Sequence, residues 1–212
     1  MADRAAGAVL AIPLGSTEQH GPHLPLSVDT DIALALCERL AAARPQVLVA
    51  PAVAYGSSGE HAGFPGTLSI GQAAVELLVL ELCRSAGDSV DRVLLVSGHG
   101  GNTEALTRAL RTLHAESRDV RVFSPRWPGE PHAGRPETAM LLALSPDRVR
   151  MTLAARGEVR PLDQILPRLR EGGVRAVSET GVLGDPTGAD AAEGAALLAA
   201  LAAELIAVVD GW

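Results

Sequence analysis

Short apolar runs alternate with longer stretches of helical spacing along this chain, and that alternation limits what it can fold into. Residues 8–14, 47–53 and 93–96 are apolar runs too short for helices and lacking polar alternation, and 120–123, interrupted by Arg121, reads as a fourth strand. Between them lie 29–43, 70–85 and 103–115, where apolar residues recur every three or four positions. Ile32, Leu36 and Leu40 mark one such face, and Val75, Leu78, Val79 and Leu82 another. Residues 137–144 read as a short helix stopped before Pro146, 149–153 as a further strand, and 189–209 as a closing helix. Strands that are apolar on both faces need helices on both faces. The expectation is an α/β fold, a mainly parallel sheet flanked by helices in a single three-layer domain. The 212 residues suit one domain over 1–212.

Composition excludes several classes. All 18 basic residues are Arg, because the chain has no Lys. Phosphate-loop ATPases, Schiff-base enzymes and pyridoxal enzymes each need a lysine amine, so these are ruled out. A net charge of −7 argues against a nucleic-acid partner, which calls for a basic face. Cys37 and Cys83 lie in apolar helical stretches, with neither zinc-finger nor redox spacing, and read as core residues. No basic leader precedes a cleavable apolar stretch, and the Ala-rich end carries acids and Gly, so it reads as a packed helix. The expectation is a cytoplasmic protein with no membrane partner.

Two stretches break the alternation. Residues 56–67 hold four Gly and one Pro, and 124–136 hold four Pro and two Gly. Both are expected as long loops after strands. In an open α/β sheet, sites form outside the carboxyl ends of the strands. Five of the six histidines fall in such segments: His20, His23, His61, His99 and His132, with His114 on a helix as the exception. One loop histidine is ordinarily a hydrogen-bonding residue, but five on one rim point to a site.

Glu18 and His20 stand two apart after the first apolar run. In extended backbone such residues project to the same side, as a shared metal requires. Asp29 follows near a helix start. Its bland role is an N-cap, but Asp31 is available for that, which leaves Asp29 free as a ligand able to bridge two ions. The run Val96-Ser97-Gly98-His99-Gly100-Gly101-Asn102 places an imidazole at a strand end and holds the only Asn of the chain. A phosphate cradle is the rival reading there, and the missing Lys weakens it. Glu137 opens a helix, where matching the helix dipole and ligation are equally good explanations. His and carboxylate donors without thiolate suit zinc, manganese or iron(II) without selecting among them.

These motifs together resemble the creatininase (creatinine amidohydrolase) family. The resemblance rests on Ser16-Thr17-Glu18-Gln19-His20-Gly21-Pro22-His23-Leu24-Pro25, Asp29-Thr30-Asp31, Gly59-Glu60-His61-Ala62-Gly63-Phe64-Pro65-Gly66-Thr67, Gly98-His99-Gly100-Gly101-Asn102, His132-Ala133-Gly134 with Glu137-Thr138, and Gly184-Asp185-Pro186-Thr187. It implies a metal-dependent amide hydrolase with two divalent ions per subunit, held by Glu18, His20, Asp29 and His99 with Asp29 bridging. Creatininase proper has a further glutamate ligand at the position of Gly101. Glu137 is the residue expected to replace it, and to serve catalysis as well. His132 matches a histidine proposed to carry the proton to the leaving nitrogen. Glu60, His61, Phe64, Asn102, Arg126 and Trp127 are the expected substrate-binding residues, with Arg135 on the same rim loop. The resemblance also implies a homo-oligomer of six or more subunits.

Within the family, residues 56–67 and the run Ser124-Pro125-Arg126-Trp127-Pro128-Gly129 resemble the mycofactocin branch. Its members are peptidases that release a modified Val-Tyr-derived unit from the C-terminus of a ribosomal precursor peptide. The rival readings are a creatininase or formamide hydrolase of the same family, and a non-catalytic metal-binding scaffold. Substrate assays separate them.

Overall fold

The structure, a computed structural model, describes residues 5–127 and 129–212. Four parallel strands form the sheet: β1 (Ala5–Leu14), β2 (Val47–Val49), β3 (Val90–Ser97) and β4 (Asp119–Phe123), in the order β2-β1-β3-β4. The helices are α1 (Val28–Ala43), α2 (Gln72–Ala86), α3 (Thr103–Ala115), α4 (Arg135–Leu144), α5 (Leu162–Gly172) and α6 (Ala191–Asp210).

Alternation along the strands sorts the core into two layers. Val9 and Ala11 of β1, with Leu94 and Val96 of β3, pack against Ile32, Leu36 and Leu40 of α1, Met140 of α4 and Leu201 and Leu205 of α6. Ala8, Ile12, Val93 and Leu95 point the other way, onto Val75 and Val79 of α2 and Leu106 and Leu113 of α3. The expected three-layer α/β domain is what the chain forms. Cys37 lies in the first layer and Cys83 in the second, both free and buried.

Helix α6 is long and apolar enough to cross a membrane by length and composition alone. Here it is a core helix, with Leu198, Leu201, Leu205 and Val209 turned into the first layer. Truncating the fully buried Leu205 to Ala is expected to cost about 2–5 kcal/mol of stability. Urea unfolding measures that loss directly.

Three expectations are corrected. Residues 149–153 are not a strand; Met151–Leu153 form a 3-10 turn. The run 47–53 makes a strand only to Val49, followed by an isolated bridge between Leu14 and Val53. Pro51 has no N–H to give to a ladder, which ends it. Asp31 does not cap α1. Its carboxylate instead accepts from Ser27 Oγ at 2.8 Å and from Arg148 at 2.9 Å, while Ser27 is the N-cap residue and its side chain makes no bond to a backbone N–H of the helix.

The sheet order sets the site's location. The chain leaves β1 toward β2 on one side and returns to β3 on the other. The strand ends therefore part between β1 and β3, and the crevice at such a switch point is where α/β sheets bind ligands.

Candidate metal centre

The segment after β1 carries Glu18 and His20, the segment after β3 carries His99, and the first turn of α1 carries Asp29. All four are buried at the switch point. His99 Nδ1 lies 3.3 Å from Glu18 Oε2 and 3.2 Å from Asp29 Oδ2. His20 Nε2 lies 3.2 Å from Asp29 Oδ1 and 4.0 Å from Glu137 Oε2. Among the described residues three groups could each converge on an ion, Glu18–Asp29–His99, His20–His132–Glu137 and Glu18–His61–His132, and Asp29 of the first also reaches His20 of the second.

The remote nitrogens of both imidazoles are tied to backbone carbonyls. His20 Nδ1 donates to Glu18 O at 3.2 Å, and His99 Nε2 donates to Ser57 O at 2.9 Å. Each bond turns the other nitrogen toward the carboxylates, as metal-binding histidines are commonly held. Glu18 Oε2, His20 Nε2 and Asp29 Oδ2 are buried without a hydrogen bond of acceptable geometry, although His20 Nε2 lies within ion-pair reach of Asp29 Oδ1, and both carboxylate oxygens within reach of His99 Nδ1. Buried polar atoms are rarely left so. Three convergent donors in that state fit a bound divalent cation, and their O and N chemistry suits zinc, manganese or iron(II).

The buried charges shift one another's titration. Burial alone would lower His20, but Asp29, with Glu137 and Glu18, raises it to about 9. Burial likewise opposes His99, and Asp29 and Glu18 raise it to about 10. Burial would raise Asp29; facing both imidazoles, it is held well below the usual carboxylate range. Burial and the charge of Asp29 push Glu18 up to about 7, and burial does the same to Glu137.

Glu137 occupies the first turn of α4, and its Oε2 accepts from Ala133 N at 2.5 Å. That bond holds Ala133 in a left-handed conformation, with φ of 51°, and fixes the loop that carries His132. At position 101, a Cβ would collide with His99 Nε2, Ser57 O and Glu60 Oε1. No side chain fits there without displacing these neighbours.

A cavity of about 1260 Å³ opens onto this centre. Glu60, His61, His132 and Glu137 line it, together with Arg126 and Trp127 of the long loop and Leu162, Leu166 and Leu169 of α5. Two expected substrate residues are not on this wall. Asn102 spends Oδ1 on Ser57 N at 3.0 Å and Nδ2 on Gly15 O at 3.1 Å, so it clamps two loops together. Phe64 packs against Ile165, Val174 and Leu183, under the Arg175 guanidinium. Arg135 is also turned away, paired with Glu193 at 2.8 Å. His23 is buried against Thr138 at 2.9 Å, and burial beside His20 lowers it to about 4. His114 bonds Val120 O at 2.8 Å and braces α3. Sequence reasoning missed Gln19, which touches both His61 and His132, and helix α5.

A buried set of imidazoles and carboxylates at the mouth of a parallel sheet makes a candidate metal centre, and the relatives that share this fold place the protein among the hydrolases of amide bonds. The pattern that defines the creatininase family, described as creatinine amidohydrolase, matches residues 1–209, and the chain belongs to that family. It is 51% identical over 213 residues to the mycofactocin precursor peptide peptidase of Mycobacterium tuberculosis, covering 96% of this chain and 85% of the relative. It is 51% identical over 197 residues to the protein of the same name from Mycolicibacterium smegmatis, covering 90% and 80%. The crystal structure of creatininase superposes with a TM-score of 0.80 at 26% identity, covering 97% of this chain and 90% of that one. Creatininase has also been solved in a zinc–zinc mutant form and a manganese form, with TM-scores of 0.80 and 0.78.

Proposed function

We propose that this chain is a metal-dependent peptidase that releases the modified Val-Tyr-derived C-terminal unit from the mycofactocin precursor peptide. The observation that carries the metal chemistry is the convergence of buried Glu18, Asp29 and His99, with Glu18 Oε2, Asp29 Oδ2 and the neighbouring His20 Nε2 left without hydrogen bonds. Glu18, Asp29 and His99 would hold one divalent ion, and His20, Asp29 and Glu137 a second, with Asp29 shared. Glu137 then stands in for the ligand that Gly101 cannot supply. Zinc, manganese and iron(II) all suit the donors. Such ions supply Lewis acidity at the carbonyl oxygen and lower the pKa of a water.

The chain's own groups handle the proton. Burial, with the neighbouring charge of His20, holds His132 well below the ordinary histidine range, so it is neutral near pH 7. To protonate the leaving nitrogen it must first accept a proton, and the attacking water supplies one. His132 is therefore base and then acid in one turnover.

Cavity size supports a peptide over creatinine. A volume of about 1260 Å³ exceeds the roughly 300–1,000 Å³ typical of small-molecule pockets. Arg126 and Trp127, which line the cavity, would hold an extended chain by charge and by ring contact. We place the reaction in the cytoplasm and assign the protein a homo-oligomer of six or more subunits. Exposed Tyr55, Leu68 and Leu77 offer apolar surface for such contacts, and light scattering on a sizing column tests it.

Metal uptake should release protons. His20 and His99 carry them below about 9 and 10, and Glu18 and Glu137 below about 7. A ligand must give up its proton to bind, so apparent metal affinity should rise as pH goes from 6 to 9. Calorimetric titration of zinc in two buffers of different ionisation enthalpy reads the protons released. Uptake without proton release would exclude these four groups as the ligands.

A further inference from the structure

Gln19 lies between Glu18 and His20 and is itself buried, with 5% of its surface exposed. Its side-chain oxygen accepts from Gly21 N at 2.9 Å. That bond, and the nearby carbonyl of Gly181 at 3.2 Å from the nitrogen, set which end of the amide is which. The amide nitrogen then faces three neighbours: His61 Nδ1 at 2.9 Å, His132 Nε2 at 3.0 Å and Gly181 O. It has two hydrogens for them.

The allocation follows from the fourth contact. His132 Nε2 lies 2.8 Å from the backbone carbonyl of Gln19. A carbonyl only accepts, so His132 Nε2 carries hydrogen and cannot accept from the amide. The two amide hydrogens therefore go to Gly181 O and His61 Nδ1. A neutral His61 that accepts at Nδ1 carries its hydrogen on Nε2, which points at Glu18 Oε1 at 3.2 Å. A neutral His132 with hydrogen on Nε2 has Nδ1 bare, facing Glu18 Oε1 at 3.8 Å.

We infer that Gln19 is a positioning residue for two histidines: its side-chain amide makes His61 a donor to Glu18, and its backbone carbonyl holds the hydrogen of His132 on Nε2 and leaves Nδ1 bare, so Gln19 variants act through His61 and Glu18. One residue thereby gives two neighbouring imidazoles different tasks. Gly181 is part of the device. It has φ of 82°, and a Cβ there would collide with the Gln19 amide. Glycine at 181 lets the backbone lie flat on that amide and present its carbonyl.

The catalytic consequence rests on the peptidase reading; the tautomers do not. Two-bond proton–nitrogen correlation spectra of the zinc-loaded, 15N-histidine-labelled protein report which ring nitrogen bears hydrogen at each histidine. The expected wild-type result is hydrogen on Nε2 at both His61 and His132. Hydrogen on Nδ1 of either would overturn the inference, whatever the substrate proves to be. Gln19→Leu should leave His61 a mixture of tautomers. On the modified precursor peptide it should lower kcat about 10–100-fold, the scale of an outer-shell partner, with KM and bound zinc little changed. Gln19→Glu keeps the shape but offers an acceptor to His61 Nδ1, and should move the His61 hydrogen onto that nitrogen. Unchanged spectra and unchanged kcat in both variants would contradict the assignment. A wild-type protein that shows the expected spectrum but does not cleave the peptide would count against the substrate alone.

Discussion

Asp29→Asn is expected to lower kcat/KM by about 10³-fold or more and to reduce bound metal below two ions per subunit. Among the described residues Asp29 is the one carboxylate within 3.2 Å of both His20 and His99. Losing the group shared by both proposed ions removes several kcal/mol of charge stabilisation, and about 4 kcal/mol corresponds to a factor of 10³. The fold should survive. Without Asp29 the two imidazoles lose their main counter-charge and can shed their protons. The cost should therefore stay below the roughly 3–5 kcal/mol of a stranded buried charge. Steady-state kinetics beside elemental analysis of the purified variant reads both effects. A variant with two ions and wild-type turnover would remove Asp29 from the centre.

The second large effect is expected at His132. His132→Gln keeps an N–H for the carbonyl of Gln19, which the imidazole reaches at 2.8 Å, but has no nitrogen that titrates near neutral pH. A proton-transfer residue contributes about 10²–10⁴-fold, so kcat should fall by that factor while zinc content at saturation holds. His132→Ala should be partly rescued by added imidazole. Full turnover in a fully metal-loaded variant would end the proton-transfer role.

Much of this was legible in the sequence because strand ends and chemistry coincide. The apolar runs at β1 and β3 announce a parallel sheet, and the polar residues that follow each run must lie on its carboxyl rim. That places Glu18, His20 and His99 together before any coordinates. Asp29 was readable too, as a carboxylate in a helix's first turn that capping does not require. Glu137 was readable only as an open choice, because a first-turn glutamate satisfies the helix dipole equally well. Its approach to His20 depends on how α4 packs, which no local pattern records.

Other features depend on long-range contacts. Gln19 sits inside the most conspicuous motif but acquires its part from His61 and His132, 42 and 113 residues away. Asn102, singled out by its scarcity, serves the scaffold: the loops it joins are 45 and 87 residues distant. Phe64 was expected at the substrate because it lies in a Gly-rich rim loop, yet it packs into a small cluster beside α5. Helix α5 itself is obscured by Pro167 in its interior, which costs the helix a hydrogen bond.

The central claim is a metal-dependent cleavage, and a mass-spectrometric assay tests it most directly. Zinc-loaded or manganese-loaded protein is mixed with mycofactocin precursor peptide bearing the modified Val-Tyr C-terminus, with creatinine in a parallel reaction. The expected result is release of the small C-terminal product from the peptide, lost on chelation and restored by returning the metal, with creatinine untouched. An intact peptide in the presence of fully metal-loaded protein would contradict the peptidase assignment, and turnover of creatinine alone would reassign the site to that smaller amide.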